Sequence, residues 1–204
     1  MKKINNNQKV NIYYVLLYLL IIWSSINPKS YLTWSLEITP LIIASIIFFK
    51  TLKSSHFTGM LLTWVFIASC LTVIGGHFTF SEVPFFNWIK EISNLNRNHF
   101  DKLVHFVMGI EMSILTKEVL ISKKVILKRN WINWISLAIS TSLGVMYEFV
   151  EWGVAVVAGG DATDFLGAQG DIWDAQSDLF YAVVGSMIIL FIFDKYHINK
   201  INRL

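Results

Sequence analysis

Three carboxylates, Asp171, Asp174 and Asp178, stand at i, i+3, i+7 in the stretch GDIWDAQSDLF, Gly170 to Phe180. On a helix this spacing puts them on one face. That face leads directly into the apolar run Tyr181 to Phe193. Two other segments carry comparable groups. FDKLVHF holds Asp101 and His105 at i, i+4, and YEFVEW holds Glu148 and Glu151 at i, i+3. Carboxylates with one imidazole make a mostly hard donor set. It suits Mg²⁺, Mn²⁺ or Ca²⁺, or a Zn²⁺ or Fe²⁺ site with mixed nitrogen and oxygen ligands. Such an ion polarises a phosphoryl or carbonyl oxygen or activates water. Without a metal, His105 and Glu148 would form a general acid–base pair.

Asp101, His105, Glu148, Asp174 and Asp178 are therefore the candidate catalytic groups. His105, Glu148, Asp174 and Asp178 are the candidate metal ligands. Lys102, Glu151, Asp171 and Gln176 flank them as candidate substrate-binding groups, and Lys102 with Arg97 would attract an anionic lipid headgroup. Plainer roles compete with these. Asp is a favoured N-cap, so Asp101 would cap its own helix and Asp171 or Asp174 the last one. A lone His105 would be a hydrogen-bonded interior histidine. Glu148, inside an otherwise apolar helix, and Asp178, a turn past any cap, fit such roles least.

The elements that must position these groups are membrane helices. Of 204 residues, 54% are hydrophobic and 15% charged, and mean hydropathy is +0.54. A soluble domain of this size cannot hide that much apolar surface. The fold class is thus all-α, a polytopic membrane helix bundle in a single domain over residues 1–204. A bilayer core of about 30 Å needs about 20 residues per helix. Six spans fit: 10–26, 31–49, 58–77, 101–121, 131–154 and 174–193. The first is a retained signal-anchor, since no small-x-small cleavage site follows it. The second is interrupted by Glu37 and Pro40. The segment Ser81 to Asn96 carries Val83, Phe85, Phe86, Trp88, Ile89 and Ile92 among polar residues, and is expected to lie along the outer interface as a short helix. Seven of the 8 Trp fall near helix ends, as interfacial anchors do. The lone Cys70 excludes an internal disulfide.

Positive charge sets the orientation. Lys2, Lys3, Lys9, Lys50, Lys53, Lys123, Lys124, Lys128, Arg129, Lys195, Lys200 and Arg203 fall on one side. Lys29, Lys90 and Arg97 fall on the other, and Val154 to Phe193 holds no Lys or Arg. Both termini are then cytoplasmic and the acidic segment faces outward. Along the helices, Glu148 lies about 25 Å from Trp131, Asp178 about 6 Å below Asp174, and His105 about 6 Å below Asp101. The acids and the imidazole then share one layer in the outer leaflet. A net charge of +3, spread along the chain, excludes nucleic acid.

Weaker features complete the picture. Glu37 and His77 lie near outer helix ends, where they would either join the cluster or, more simply, snorkel to the interface. Glu111 would pair with a neighbouring helix, and Glu118 with Lys117 or the basic loop. Gly144, Gly153 and Gly185 read as close helix contacts. The loop GGDATDFLGAQGD lacks EF-hand spacing. It is expected to fold back over the site with Phe165 and Leu166 dipping toward the bilayer.

The segments FDKLVHF, YEFVEW and FLGAQGDIWDAQSDLF resemble the YjdF-like family of bacterial inner-membrane proteins over most of the chain. The resemblance implies a polytopic helical protein of the inner membrane and supplies no catalytic residues. The chain is also distantly similar to VanZ-like proteins. Their order of an Asp-Lys-x-x-His motif, a later acidic residue and an Asp-containing final helix corresponds here to Asp101, Lys102 and His105, then Glu148, then Asp174 or Asp178. Those proteins are associated with resistance to a glycopeptide antibiotic at the envelope. Three functions follow from the residues: an enzyme acting on an envelope lipid or lipid-linked substrate, by metal-assisted hydrolysis or phosphoryl transfer; a small proton-coupled transporter, for which six helices imply a homodimer; or a non-catalytic scaffold.

Overall fold

The computed structural model describes residues 6–52, 57–125, 129–158 and 168–204. Among these there are helices and no strand: α1 (Asn6–Ser24), α2 (Tyr31–Leu52), α3 (Gly59–Phe78), α4 (Pro84–Ile92), α5 (Phe100–Ser122), α6 (Arg129–Ala158), α7 (Asp174–Met187), a π-helical turn (Ile188–Ile192) and α8 (Asp194–Ile201). Residues 159–167 of the loop expected to fold over the site, with Phe165 and Leu166, lie outside the described residues, as do Lys2, Lys3, Lys53 and Lys128; its last part, 168–171, is described.

Of the six expected spans, three are helices long and apolar enough to cross a bilayer: Tyr31–Thr51, Gly59–Phe78 and Asp174–Ile192. The apolar part of α1, Gln8–Ser24, is shorter. With 23 and 30 residues, α5 and α6 are about 34 and 45 Å long, but they carry more polar groups. The polarity of α5 follows from its position. It packs against α3, α6 and α7, so Asp101, Lys102, His105, Lys117 and Glu118 are all buried inside the bundle. The outer faces are apolar in compensation. Val15, Leu19 and Ile22 of α1, and Phe149, Val150, Val156 and Val157 of α6, are exposed. Polar groups turned inward and apolar groups outward is the arrangement a bilayer imposes.

Small residues let α5 and α7 meet closely. A Cβ on Gly109 would lie 2.0 Å from the Ala182 carbonyl oxygen, and one on Gly185 would lie 2.2 Å from that of Phe106. A hydroxyl closes the same seam, Ser186 donating to the Gly109 carbonyl at 3.0 Å, and Ser113 joins α5 to α6 by donating to Ser140 Oγ at 3.0 Å. The sequence expectation is thus right for Gly185. Gly144 also meets a neighbouring helix, where a Cβ would lie 3.3 Å from the Leu179 side chain of α7, whereas Gly153 has nothing within 4 Å among the described residues.

Other departures have local reasons. Pro40 removes one backbone donor, yet α2 continues through it to Leu52, because a single missing bond does not end a well-packed apolar helix. The expected interfacial segment is α4. Its Phe85, Trp88 and Ile92 are exposed along one face, while Phe86 packs edge-on against Phe100 at 5.4 Å. The last span ends in the π-helical turn rather than a plain helix end, and α8 follows it, an element the sequence pattern did not announce.

α8 closes a second buried polar knot, at the end of α5 away from Asp101. His197 Nε2 lies 2.9 Å from Glu118 Oε1. Glu118 also accepts from the backbone N–H of Thr58 at 2.9 Å and from its hydroxyl, and Thr58 Oγ1 in turn caps α3 at the Leu61 amide. Lys117 pairs with Asp194, whose Oδ1 also accepts from Asn133 at 3.0 Å. The expected pairing of Glu118 with Lys117 therefore does not form: adjacent residues point to different faces of α5, and each finds its own partner.

Candidate functional site

The acids of α7 meet the bases that precede and open α5. Asp174 Oδ1 accepts from Arg97 Nη1 at 2.6 Å and from Lys102 Nζ at 2.6 Å. Lys102 Nζ also donates to Asp178 Oδ2 at 3.0 Å, and Arg97 Nη1 donates to Asp171 Oδ2 at 3.0 Å. The side chains of Lys102, Asp178 and Arg97 are 6%, 3% and 9% exposed. Buried charges of this kind persist only when paired and hydrogen-bonded. Lys102 and Arg97 are thus turned inward onto aspartates, not outward to a lipid headgroup as the sequence suggested.

The loop before α5 is built to hold this arrangement. Asn98 Oδ1 accepts from the Phe100 amide at 2.9 Å, and its Nδ2 donates to Asn87 Oδ1 at 2.8 Å. Gln169 grips the Asn98 backbone from both sides, accepting from its N–H at 2.9 Å and donating to its carbonyl at 3.0 Å. The cap role expected of Asp101 is not filled: His99 precedes the helix without a side-chain cap bond, and Asn98 braces the turn ahead of it. Asp174 makes no cap either. Asp171 instead accepts from the Trp173 amide at 2.9 Å. That bond, then Arg97, hold its carboxyl below the usual carboxylate range. Burial, then Arg97 and Lys102, push His99 below its ordinary value, so it stays neutral near pH 7.

Beside these pairs lies a second group, which shares Asp178 with Lys102. Ligand atoms of Asp101, His105 and Asp178 all lie within 4.8 Å of one another. His105 Nε2 is 3.5 Å from Asp101 Oδ1 and 3.9 Å from Glu148 Oε1. Glu148 Oε1 is buried without a hydrogen bond among the described residues, while Asp178 Oδ1 lies 3.0 Å from Lys102 Nζ. α5, α6 and α7 thus bring Asp101, His105, Glu148 and Asp178 together, as their spacing implied. Asp174 belongs with the two cations. Gln176 is exposed, on a different face of α7 from Asp174 and Asp178.

A cavity of about 320 Å³ opens beside this cluster, between α1, α2, α3, α5 and α6. Asp101 and His105 line it together with Glu37, Glu111, Tyr147 and Glu151; the rest of its wall is mostly aliphatic and aromatic. Glu37 is 4% exposed and accepts from Tyr147 Oη at 3.1 Å. It is an interior residue, not a snorkelling one. His77 stays apart, with Nδ1 2.9 Å from the Ser24 carbonyl. Glu111 turns to the cavity rather than to a partner on another helix. Tyr147 is the lining residue that sequence reasoning missed. Its place beside Glu148 was the available signal, but only the approach of α2 gives it a role.

A family model described as "Predicted membrane protein (DUF2238)" matches residues 10–199. The chain belongs to this family. It is also 32% identical to the inner membrane protein YjdF of Escherichia coli (strain K12) over 185 residues, covering 91% of this chain and 88% of that protein. The match carries the YjdF-like resemblance of the three polar segments through to nearly the whole chain. No solved structure matches.

Proposed function

We propose that this is a multi-pass inner-membrane enzyme with an outward-facing divalent-metal site, acting on an envelope lipid or lipid-linked substrate. The observation that carries the reading is the convergence of Asp101, His105 and Asp178 within 4.8 Å, with Glu148 alongside. Mixed carboxylate and imidazole donors suit Mg²⁺, Mn²⁺, Zn²⁺ or Fe²⁺. An ion there would offset the buried carboxylates and support hydrolysis or phosphoryl transfer. Glu148, 3.9 Å from His105, would act as the base that takes a proton from a water bound at this site. Lys102 and Arg97 hold Asp174 and fix α7 against α5, which positions Asp178. The positive-charge bias supports a site on the outer side and both termini in the cytoplasm, on a reading of six spans. The similarity in motif order to VanZ-like proteins agrees with a site on the envelope side.

Elemental analysis of the purified protein tests the metal. About one divalent ion per chain is expected, reduced in Asp178→Asn and His105→Ala. A metal-free wild type, with variants that take up added metal equally well, ends this reading. A reporter fused after Gly160 should read as extracytoplasmic. Stability loss in Asp178→Asn and Glu148→Gln, with every phenotype intact, would leave a scaffold role.

One observation favours proton-coupled transport as a second reading. Ionisable groups continue along α5 from His105 to Glu111 in the cavity and on to Glu118 with His197, and such groups relay protons in membranes. Proton flux in liposomes that depends on Glu111 would support it. With few helices per chain, it implies a homodimer.

A further inference from the structure

We infer that the cavity between α2, α5 and α6 binds the single apolar chain of a cationic amphiphile, with its ammonium group against the acids at the polar end. The inference rests on the proposed site only for what reacts there; binding itself needs no metal.

Two independent observations lead to it. The first is the wall. Its polar lining includes the carboxyls of Glu37, Asp101, Glu111 and Glu151, and among the described residues no Lys or Arg lines the cavity. The bases of the site are turned away, onto Asp171, Asp174 and Asp178. A cation entering there offsets the cost of ionising carboxyls in a low-dielectric wall, whereas an anion adds to that cost. The second is His105. Its side chain is 8% exposed and lines the cavity, and its Nε2 stands 3.5 Å from Asp101 Oδ1 and 3.9 Å from Glu148 Oε1 without a hydrogen bond to either. A buried ring nitrogen left so is open to a polar group entering from the cavity.

Size and access suit one chain. At about 320 Å³ the cavity sits at the lower end of the roughly 300–1,000 Å³ of ligand pockets, which is room for one alkyl chain and not two. α2 packs on α3, whereas α6 packs on α5 and α7. The hydrogen bond from Tyr147 to Glu37 links α2 to α6 beside the cavity. Ala44 lines the cavity and is itself exposed, so it marks a lateral mouth toward the surrounding lipid.

A diazirine-bearing dodecylamine, photolysed on the full-length protein in liposomes with a chelator present, tests this. Label is expected on the α5 peptide containing Met108 and Met112. Excess dodecylamine should compete at least tenfold more effectively than dodecyl sulfate. Ala44→Trp, which plugs the mouth without touching the polar cluster, should lower the labelling about tenfold. Glu37→Gln combined with Glu151→Gln should abolish the preference for the amine. Label confined to the outer faces of α1 and α6, equal competition by the sulfate, or undiminished labelling of Ala44→Trp would each overturn the inference. Because the chelator removes any ion, a failed metal analysis leaves this result standing, and the reverse holds too.

Discussion

Lys102 Nζ lies 2.6 Å from Asp174 Oδ1 and 3.0 Å from Asp178 Oδ2, so one buried cation of α5 joins two acids a turn apart on α7. This divides an apparently uniform acidic run into parts with different jobs. Asp171 and Asp174 answer the bases of α5 and its leading loop. Asp178 shares Lys102 but also reaches the Asp101–His105 group.

Removing the shared cation should be costly. Lys102→Met leaves Asp178 and part of Asp174 buried and uncompensated, with an expected loss of about 3–5 kcal/mol. Unfolding in detergent, followed by tryptophan fluorescence, would report it. Adding Asp178→Asn to Lys102→Met should restore much of the stability, since the unpaired charge is gone. A double variant no more stable than the single one would contradict the pairing.

The α5–α7 seam predicts a sharp contrast among glycines. Gly109→Ala would press a methyl group into the Ala182 carbonyl, and Gly185→Ala into that of Phe106. Backbone must move in both, so thermal unfolding should drop by several degrees or the protein should fail to accumulate. Gly153→Ala meets nothing and sits inside α6, so it should be neutral or gain up to about 1 kcal/mol from helix propensity.

The contact of Asp171 with Arg97 and the Trp173 amide has a pH signature. Its folded pKa is depressed, so its contribution is fully present above the unfolded value of about 3.9 and is lost as pH falls through the lower folded value. Wild type should therefore melt higher than Asp171→Asn at pH 6, and the gap should close toward pH 3. A gap that widens on acidification would reverse the sign of the argument.

The knot at the other end of α5 should matter for folding and not for the site. Glu118→Ala strips partners from His197, which is 0% exposed, and from the Thr58 amide. An unsatisfied buried donor costs about 1–3 kcal/mol. Glu91→Ala, on the exposed end of α4, should change stability by less than about 0.5 kcal/mol. Equal effects of the two variants would argue against the knot.

By itself the sequence determined the helical, membrane-bound character of the chain and the groups that share a helix face. Both are local properties. Apolar run length reports a span, and a period of 3.6 residues puts Asp174 with Asp178, Asp101 with His105, and Glu148 with Glu151 on common faces. The layer shared by His105, Glu148 and Asp178 was also legible, because rise per residue measures depth. Which faces meet was decided by tertiary structure alone. Helix rotation and approach, set at the Gly109–Ala182 and Gly185–Phe106 contacts, turned Lys102 and Arg97 inward onto the aspartates and freed Asp101 from a capping role. The approach of α2 made Glu37 and Tyr147 cavity residues, and α8 delivered His197 to Glu118. Each of these links residues far apart in the chain, and no periodicity along one helix encodes its rotation against another.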